Sequence, residues 1–187
     1  MKGKAEAGSQ RMEQWLMENG ILLCNHNPWL PALEDIGCAW QDAMALIDRH
    51  QVFYSKSFQK RTAYLSPQVY RLLKALRRPR PMPLPAKAVY ALLQKNPGAE
   101  AAFLKSQWGE PAKEFRAGLN FLLENLLATA IGSGRRLHEN WSELRYAGAE
   151  DWERLCPGTE GTKEAQKRLW GIVGGVMTEK QFSAWIR

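Results

Sequence analysis

This 187-residue sequence predicts a mainly helical α+β protein with short β-hairpins. A winged helix over residues 86–155 is preceded by a helix-plus-hairpin module over 1–80 and followed by a helical tail over 156–187. Three observations carry this reading. Apolar residues recur at helical spacing through most of the chain, and two segments read as β-hairpins, one from its β-branched and aromatic content and one from period-two alternation over Trp141 to Tyr146. Between the two parts, Pro79-Arg80-Pro81-Met82-Pro83-Leu84-Pro85 has a proline at every second position, which makes a stiff, extended connector.

The second part is the more legible. Val89, Leu92 and Leu93 share a helical stripe that Asn96-Pro97-Gly98 ends near Lys95. Ala99 to Gln107 reads as a second short helix carrying Phe103 and Leu104, closed by Gly109. Glu110-Pro111 opens a third helix to about Asn125, since proline in a first turn gives up an N–H that has no partner there. On that helix Phe115, Leu119, Leu122, Leu123 and Leu126 fall together and face the core, with Lys113, Arg116 and Asn120 on the far side. Leu127 to Ile131 is β-like, Gly132 to Arg136 a flexible basic tip, and Trp141 to Tyr146 alternates. Three helices and a hairpin are the winged-helix order. Such domains commonly place the third helix in the DNA major groove and the wing on the flanking backbone, and others serve as protein-interaction modules.

In the first part, residues 1–8 read as a frayed tail. Ser9 caps a helix carrying Met12, Trp15 and Leu16 that Asn19-Gly20 ends. Ile21-Leu22-Leu23 is a short buried run, and the two prolines of Asn27-Pro28-Trp29-Leu30-Pro31 make an irregular loop. Helical spacing returns from Trp40 to His50. Residues 52–58 and 61–65 form a hairpin turning at Gln59-Lys60. Ser66-Pro67 starts a helix with Val69, Leu72, Leu73 and Leu76 inward and Arg71, Lys74 and Arg78 on another face. In the tail, Glu150 to Leu155 is a short acidic helix broken by Cys156-Pro157-Gly158. Thr162 to Met177 is amphipathic, and Thr178 with Gln181 forms a capping box ahead of Phe182, Trp185 and Ile186. These last helices need a surface to cover their tryptophans, either in the same chain or in a second copy as a homodimer.

Composition narrows the function classes. The apolar runs are too short to span a bilayer and the start lacks the apolar centre of a signal peptide, so the chain reads as cytoplasmic, with no membrane partner. Three cysteines without a C-x-x-C pair argue against a disulfide framework, and the Cys24, His26, Cys38 spacing matches no standard zinc pattern. Neither cofactor nor metal is expected. The net charge of +7 is regional: Arg49 to Arg80 holds nine basic residues and no acid, so 26 less nine leaves 17 bases against 19 acids elsewhere. A field concentrated in this way attracts polyanions.

At the hairpin, Tyr54-Ser55-Lys56-Ser57-Phe58-Gln59-Lys60-Arg61 followed by Tyr64-Leu65-Ser66 resembles small bacterial proteins related to the AlkZ-like winged-helix DNA glycosylases. The helix from Lys113-Glu114-Phe115 to Leu126, with a wing ending in Asn140-Trp141 and Arg145-Tyr146, resembles the same group, and the likeness covers roughly residues 33–152. It implies tandem winged helices and DNA association. Full members cleave an N-glycosidic bond with a Q-x-Q or Q-x-D motif, which no glutamine of this chain satisfies: Gln41-Asp42-Ala43 and Gln107-Trp108-Gly109 are examples.

Candidates for chemistry are few. His26, His50 and His138 are scattered, and Gly132-Ser133-Gly134 lacks the following lysine of a phosphate loop. Glu150, Asp151 and Glu153 could serve a flipped base as acid or base, or simply solvate a helix. Phe53, Tyr54, Phe58 and Tyr64 could stack on bases, or form hairpin core. The expectation is therefore a DNA-binding winged-helix protein without catalytic activity, duplex DNA being its partner. The alternatives are a minimal glycosylase-like repair protein and a protein-interaction module. The residues expected at DNA are Lys56, Lys60, Arg61, Arg71, Lys74, Arg77, Arg78, Lys113, Arg116, Asn120, Arg135 and Arg136.

Overall fold

The computed structural model describes residues 2–109, 111–138 and 141–187. The expected helix start at Glu110 and wing end at Asn140 lie outside them. The hairpin, caps and breaks read from the sequence set the first half. Helix α1 (Lys2–Asn19) ends at Gly20, whose φ of +73° suits glycine. Strand β1 (Ile21–Leu23) and a 3-10 turn (Leu33–Ile36) lead to α2 (Trp40–Asp48), then to β2 (Phe53–Phe58) and β3 (Arg61–Leu65). Gln59 and Lys60 both take positive φ, 49° and 60°, as a two-residue hairpin turn needs. Ser66 caps α3 (Pro67–Leu76) by accepting the Val69 N–H at 3.3 Å.

The second half repeats this order. It runs α4 (Leu84–Lys95), β4 (Ala99–Glu100), α5 (Ala101–Ser106), α6 (Ala112–Glu124), β5 (Ala128–His138) and β6 (Trp141–Gly148). Each half is thus helix, strand, short helix, helix, hairpin. Both sheets are three-stranded with the first strand beside the last, β1-β3-β2 and β4-β6-β5. The repeat lies in element order and strand order. Helices α7 (Ala149–Leu155), α8 (Ala165–Val173) and α9 (Glu179–Trp185) follow, α9 opened by the Thr178–Gln181 capping box.

The two units face each other reciprocally. Helix α2 packs on β5 and α6 packs on β2, so the third helix of each unit covers the other unit's hairpin. Polar bonds join the same surfaces. Asp48 accepts the Ser133 N–H at 2.6 Å, and His50 Nε2 donates to the Ile131 carbonyl at 3.1 Å. The buried Thr129 hydroxyl donates to the Tyr54 carbonyl at 2.9 Å. One apolar cluster spans the contact: Met12, Leu46, Ile47 and Tyr64 from the first unit with Val89, Phe115, Leu119 and Leu122 from the second. A second cluster fills the other face of β1-β3-β2, where α3 and the tail supply Tyr70, Leu73, Leu169, Phe182 and Trp185. The tail therefore covers the first unit, with Phe182 and Trp185 5% and 3% exposed.

Several expectations need correction. Residues 2–8 belong to α1 instead of fraying, and Ser9 lies inside the helix, 1% exposed, and accepts from Arg49 at 3.2 Å. Ala99-Glu100 pairs with β6 as a strand, so the second helix starts only at Ala101. Residues 132–136 are not a loose tip. They continue β5, where the Asp48 and Glu100 carboxylates hold Ser133 and Arg135 by their N–H groups and Gly134 leaves room for Glu100 against the strand. The amphipathic tail stretch yields helix only over Ala165–Val173.

Candidate nucleic-acid interface

The twelve residues expected at DNA divide sharply by what already holds them. Asn120 lies on the α6 stripe that meets β2, where its side-chain oxygen accepts from Lys56 Nζ at 2.8 Å. That bond lies within the contact between the units, so both side chains are spent on holding α6 in place. The C-terminal half of α6 is accordingly turned to protein. Only its N-terminal half, with Lys113 and Arg116, is exposed.

Helix α3 shows the same division. Arg71 donates to the Cys156 carbonyl and lies 5.9 Å over the Trp152 ring, tying α3 to the end of α7. Lys74 pairs with Glu153 at 2.7 Å, and Glu153 also accepts from the Tyr70 hydroxyl at 2.8 Å. Arg77 is the most committed. Its guanidinium donates to the carbonyls of Ser57 at 2.8 Å, Glu124 at 2.7 Å and Trp185 at 2.9 and 2.8 Å. It thereby closes the last turn of α6, where backbone acceptors lack helical partners, and joins β2 and α9 to it. Burial, then the nearby Arg80 charge, lowers its pKa to about 10, which leaves it charged at neutral pH. Arg71 and Arg77 are therefore structural clamps, each tied to backbone carbonyls of distant elements.

Arg78, next along, is exposed. The chain leaves α3 at Arg77 in an extended conformation and runs to Pro83 without helix or strand. Beneath this connector is a groove of about 260 Å³, lined by Lys74, Arg77, Arg78, Arg80 and Arg187 around Met82, Leu126 and Leu127. Among the described residues no acidic side chain lines it. Arg80 was legible in the acid-free basic run; Arg187 was not, because only the folding of α9 onto β2 brings it there.

The remaining cations lie on other surfaces. Lys60 and Arg61 are exposed at the first hairpin's turn, with Arg61 4.6 Å over the Trp29 ring. Arg135 and Arg136 are exposed on β5. Of the aromatics considered for base stacking, Phe53, Phe58 and Tyr64 are core at 0–1% exposure. The carboxylates considered for chemistry have local partners: Glu150 accepts from Tyr90 at 2.9 Å, Asp151 pairs with Arg154, and Glu153 is held as above. Among the described residues no helix is long and apolar enough to cross a membrane.

Compared with protein-family models, with curated proteins and with solved structures, the chain finds no match.

Proposed function

We propose that the protein is a pair of fused winged helices that binds duplex DNA through the phosphate backbone, as a binding protein and not a catalyst. The observation that carries this reading is the groove of Arg78, Arg80 and Arg187, lined by no acidic side chain among the described residues, which gathers the exposed end of a basic run within a chain of net charge +7. Exposed guanidinium groups suit phosphate because their planar fork matches its oxygens, and contacts of this kind give affinity without reading bases. The winged-helix assignment rests on element order and on the shared sheet order of the two halves. Sequence readout by α6 is not part of the proposal, since its Asn120 end is occupied by Lys56. The three cysteines are free thiols, in keeping with a cytoplasmic protein.

The test is fluorescence anisotropy with two duplexes of equal length and scrambled sequence, across a range of salt concentrations. Affinity should fall steeply with salt for both, because binding of this kind is driven by counterion release. A preference of more than about tenfold for one sequence, or affinity that ignores salt, contradicts the reading.

A further inference from the structure

The contact between the two units is not filled throughout. Where α2, β2 and β6 meet, a cavity of about 270 Å³ remains, with Trp40, Tyr54, Tyr146, Cys24 and Glu143 among its walls. The Tyr54 and Tyr146 rings are 6.3 Å apart at 69° to one another, forming an angled aromatic corner. Burial raises the pKa of both phenols, so these walls carry no charge at neutral pH.

The negative charge comes from the facing Glu143 and Glu100 carboxyls. Glu143 Oε2 is shut off from solvent, and no N–H of the described residues reaches it. Burial, then a hydrogen bond with the Glu100 carboxyl, pushes the Glu143 pKa up. Glu100 is fixed in that position. Its Oε1 accepts the Arg135 N–H at 2.7 Å, and its side chain occupies the space a Cβ on Gly134 would need, 2.6 Å from that oxygen. The charges of Lys105 and Arg135 reach Glu143, yet neither residue lines the cavity.

Aromatic walls, a facing pair of carboxyls and, among the described residues, no lining cation together favour a positively charged guest. Ring quadrupoles attract a cation within about 6 Å, an anion meets repulsion, and a neutral apolar guest brings no donor to the Glu143 oxygen. The volume lies just below the roughly 300 Å³ at which drug-sized pockets begin, which sets the guest at a few heavy atoms.

We propose that this cavity between the two units binds a small alkylammonium ion that carries an N–H donor, its charge against the aromatic corner and its N–H directed to Glu143. The proposal does not depend on DNA binding.

Calorimetric titration of the full chain at neutral pH tests it, with N,N-dimethylethylamine (protonated there), ethyltrimethylammonium (charged, without a donor) and tert-butyl methyl ether (neutral, without a donor, similar size). The protonated amine should bind most tightly, the quaternary ion more weakly, and the ether at least about tenfold more weakly than the amine. Glu143→Gln should remove most of the preference for charge. Amine should also slow alkylation of Cys24, which lines the cavity, and leave Cys156 unaffected. Equal binding of amine and ether, or no binding of the amine at millimolar concentration, overturns the proposal. These comparisons use the native chain, so they stand even if Glu143→Gln fails to fold.

Discussion

Replacing Arg77 with alanine should destabilise the protein severely and leave its intrinsic charge attraction for DNA almost untouched. The guanidinium makes four bonds of 2.7–2.9 Å to three backbone carbonyls drawn from β2, α6 and α9. A hydrogen bond from a charged donor contributes about 1.5 to 3 kcal/mol, so the low end over four bonds gives about 6 kcal/mol. Relief of the cost of burying the cation offsets about a third of that, leaving about 4 kcal/mol. Against a total stability of about 5 to 15 kcal/mol this is a large fraction, and for a chain of this size it lowers Tm by roughly 8 to 16 °C. Arg77→Lys keeps the charge but reaches fewer carbonyls, and should fall between the two. Urea unfolding followed by circular dichroism measures the change. A loss below about 1 kcal/mol for Arg77→Ala would refute the clamp. So would a fall in the salt slope of DNA binding for folded Arg77→Ala equal to that of Arg78→Ala, since it would return Arg77 to the phosphate surface.

Three further outcomes follow from the packing. Leu119→Ala should cost roughly 2 to 5 kcal/mol because the side chain is buried between α6 and α4, and Arg116→Ala, on the exposed face, about 0.5 kcal/mol or less; thermal melts ranking them the other way would mean that α6 faces differently. Gly118→Ala places a Cβ 2.6 Å from the Pro85 carbonyl oxygen, so it should cost roughly 1 to 3 kcal/mol, and an unchanged urea midpoint would show that α4 does not approach there. Tyr90 is raised to about 12, by burial and then by its bond to Glu150. The folded chain then holds that proton more tightly than the unfolded chain, so this contribution is present below pH 10 and is lost as pH rises from 10 to about 12. Tyr90→Phe should show a shallower alkaline decline in urea midpoint, and an identical decline would exclude Tyr90 as a source.

What could be read from the sequence was local. The 52–65 hairpin, the Ser66 cap and the Thr178–Gln181 box appear as expected because each is fixed by residues within a few positions of one another. The inward stripe of Phe115, Leu119, Leu122 and Leu123 on α6 was legible for the same reason, whereas Leu126, expected on that stripe, lies past the helix end at positive φ and packs in the other cluster. Strand β4 was not, since two residues become a strand only by pairing with β6, some forty-five positions on. Nor was the fate of the basic residues. Lys56 and Asn120 look like surface groups until α6 meets β2, and Arg77 looks like its neighbour Arg78 until three distant carbonyls converge on it. Charge pattern gave the region, and tertiary contact decided which charges remain available. The inter-unit cavity left no local signal, as Trp40, Tyr54, Glu143 and Tyr146 come from three elements of two units.

The salt dependence of duplex binding, measured for four chains, tests the central claim most directly: the native protein, Arg78→Ala with Arg80→Ala, Lys113→Ala with Arg116→Ala, and Lys56→Ala. Removing one cation from a phosphate lowers the magnitude of the log–log slope by roughly 0.9. The groove pair should lower it by about 1 to 2, and Lys56→Ala, whose ammonium is held by Asn120, should leave it unchanged while weakening the fold. An unchanged slope in the groove pair, with a reduced slope confined to the Lys113 and Arg116 pair, would contradict the groove as the DNA surface and return DNA to α6.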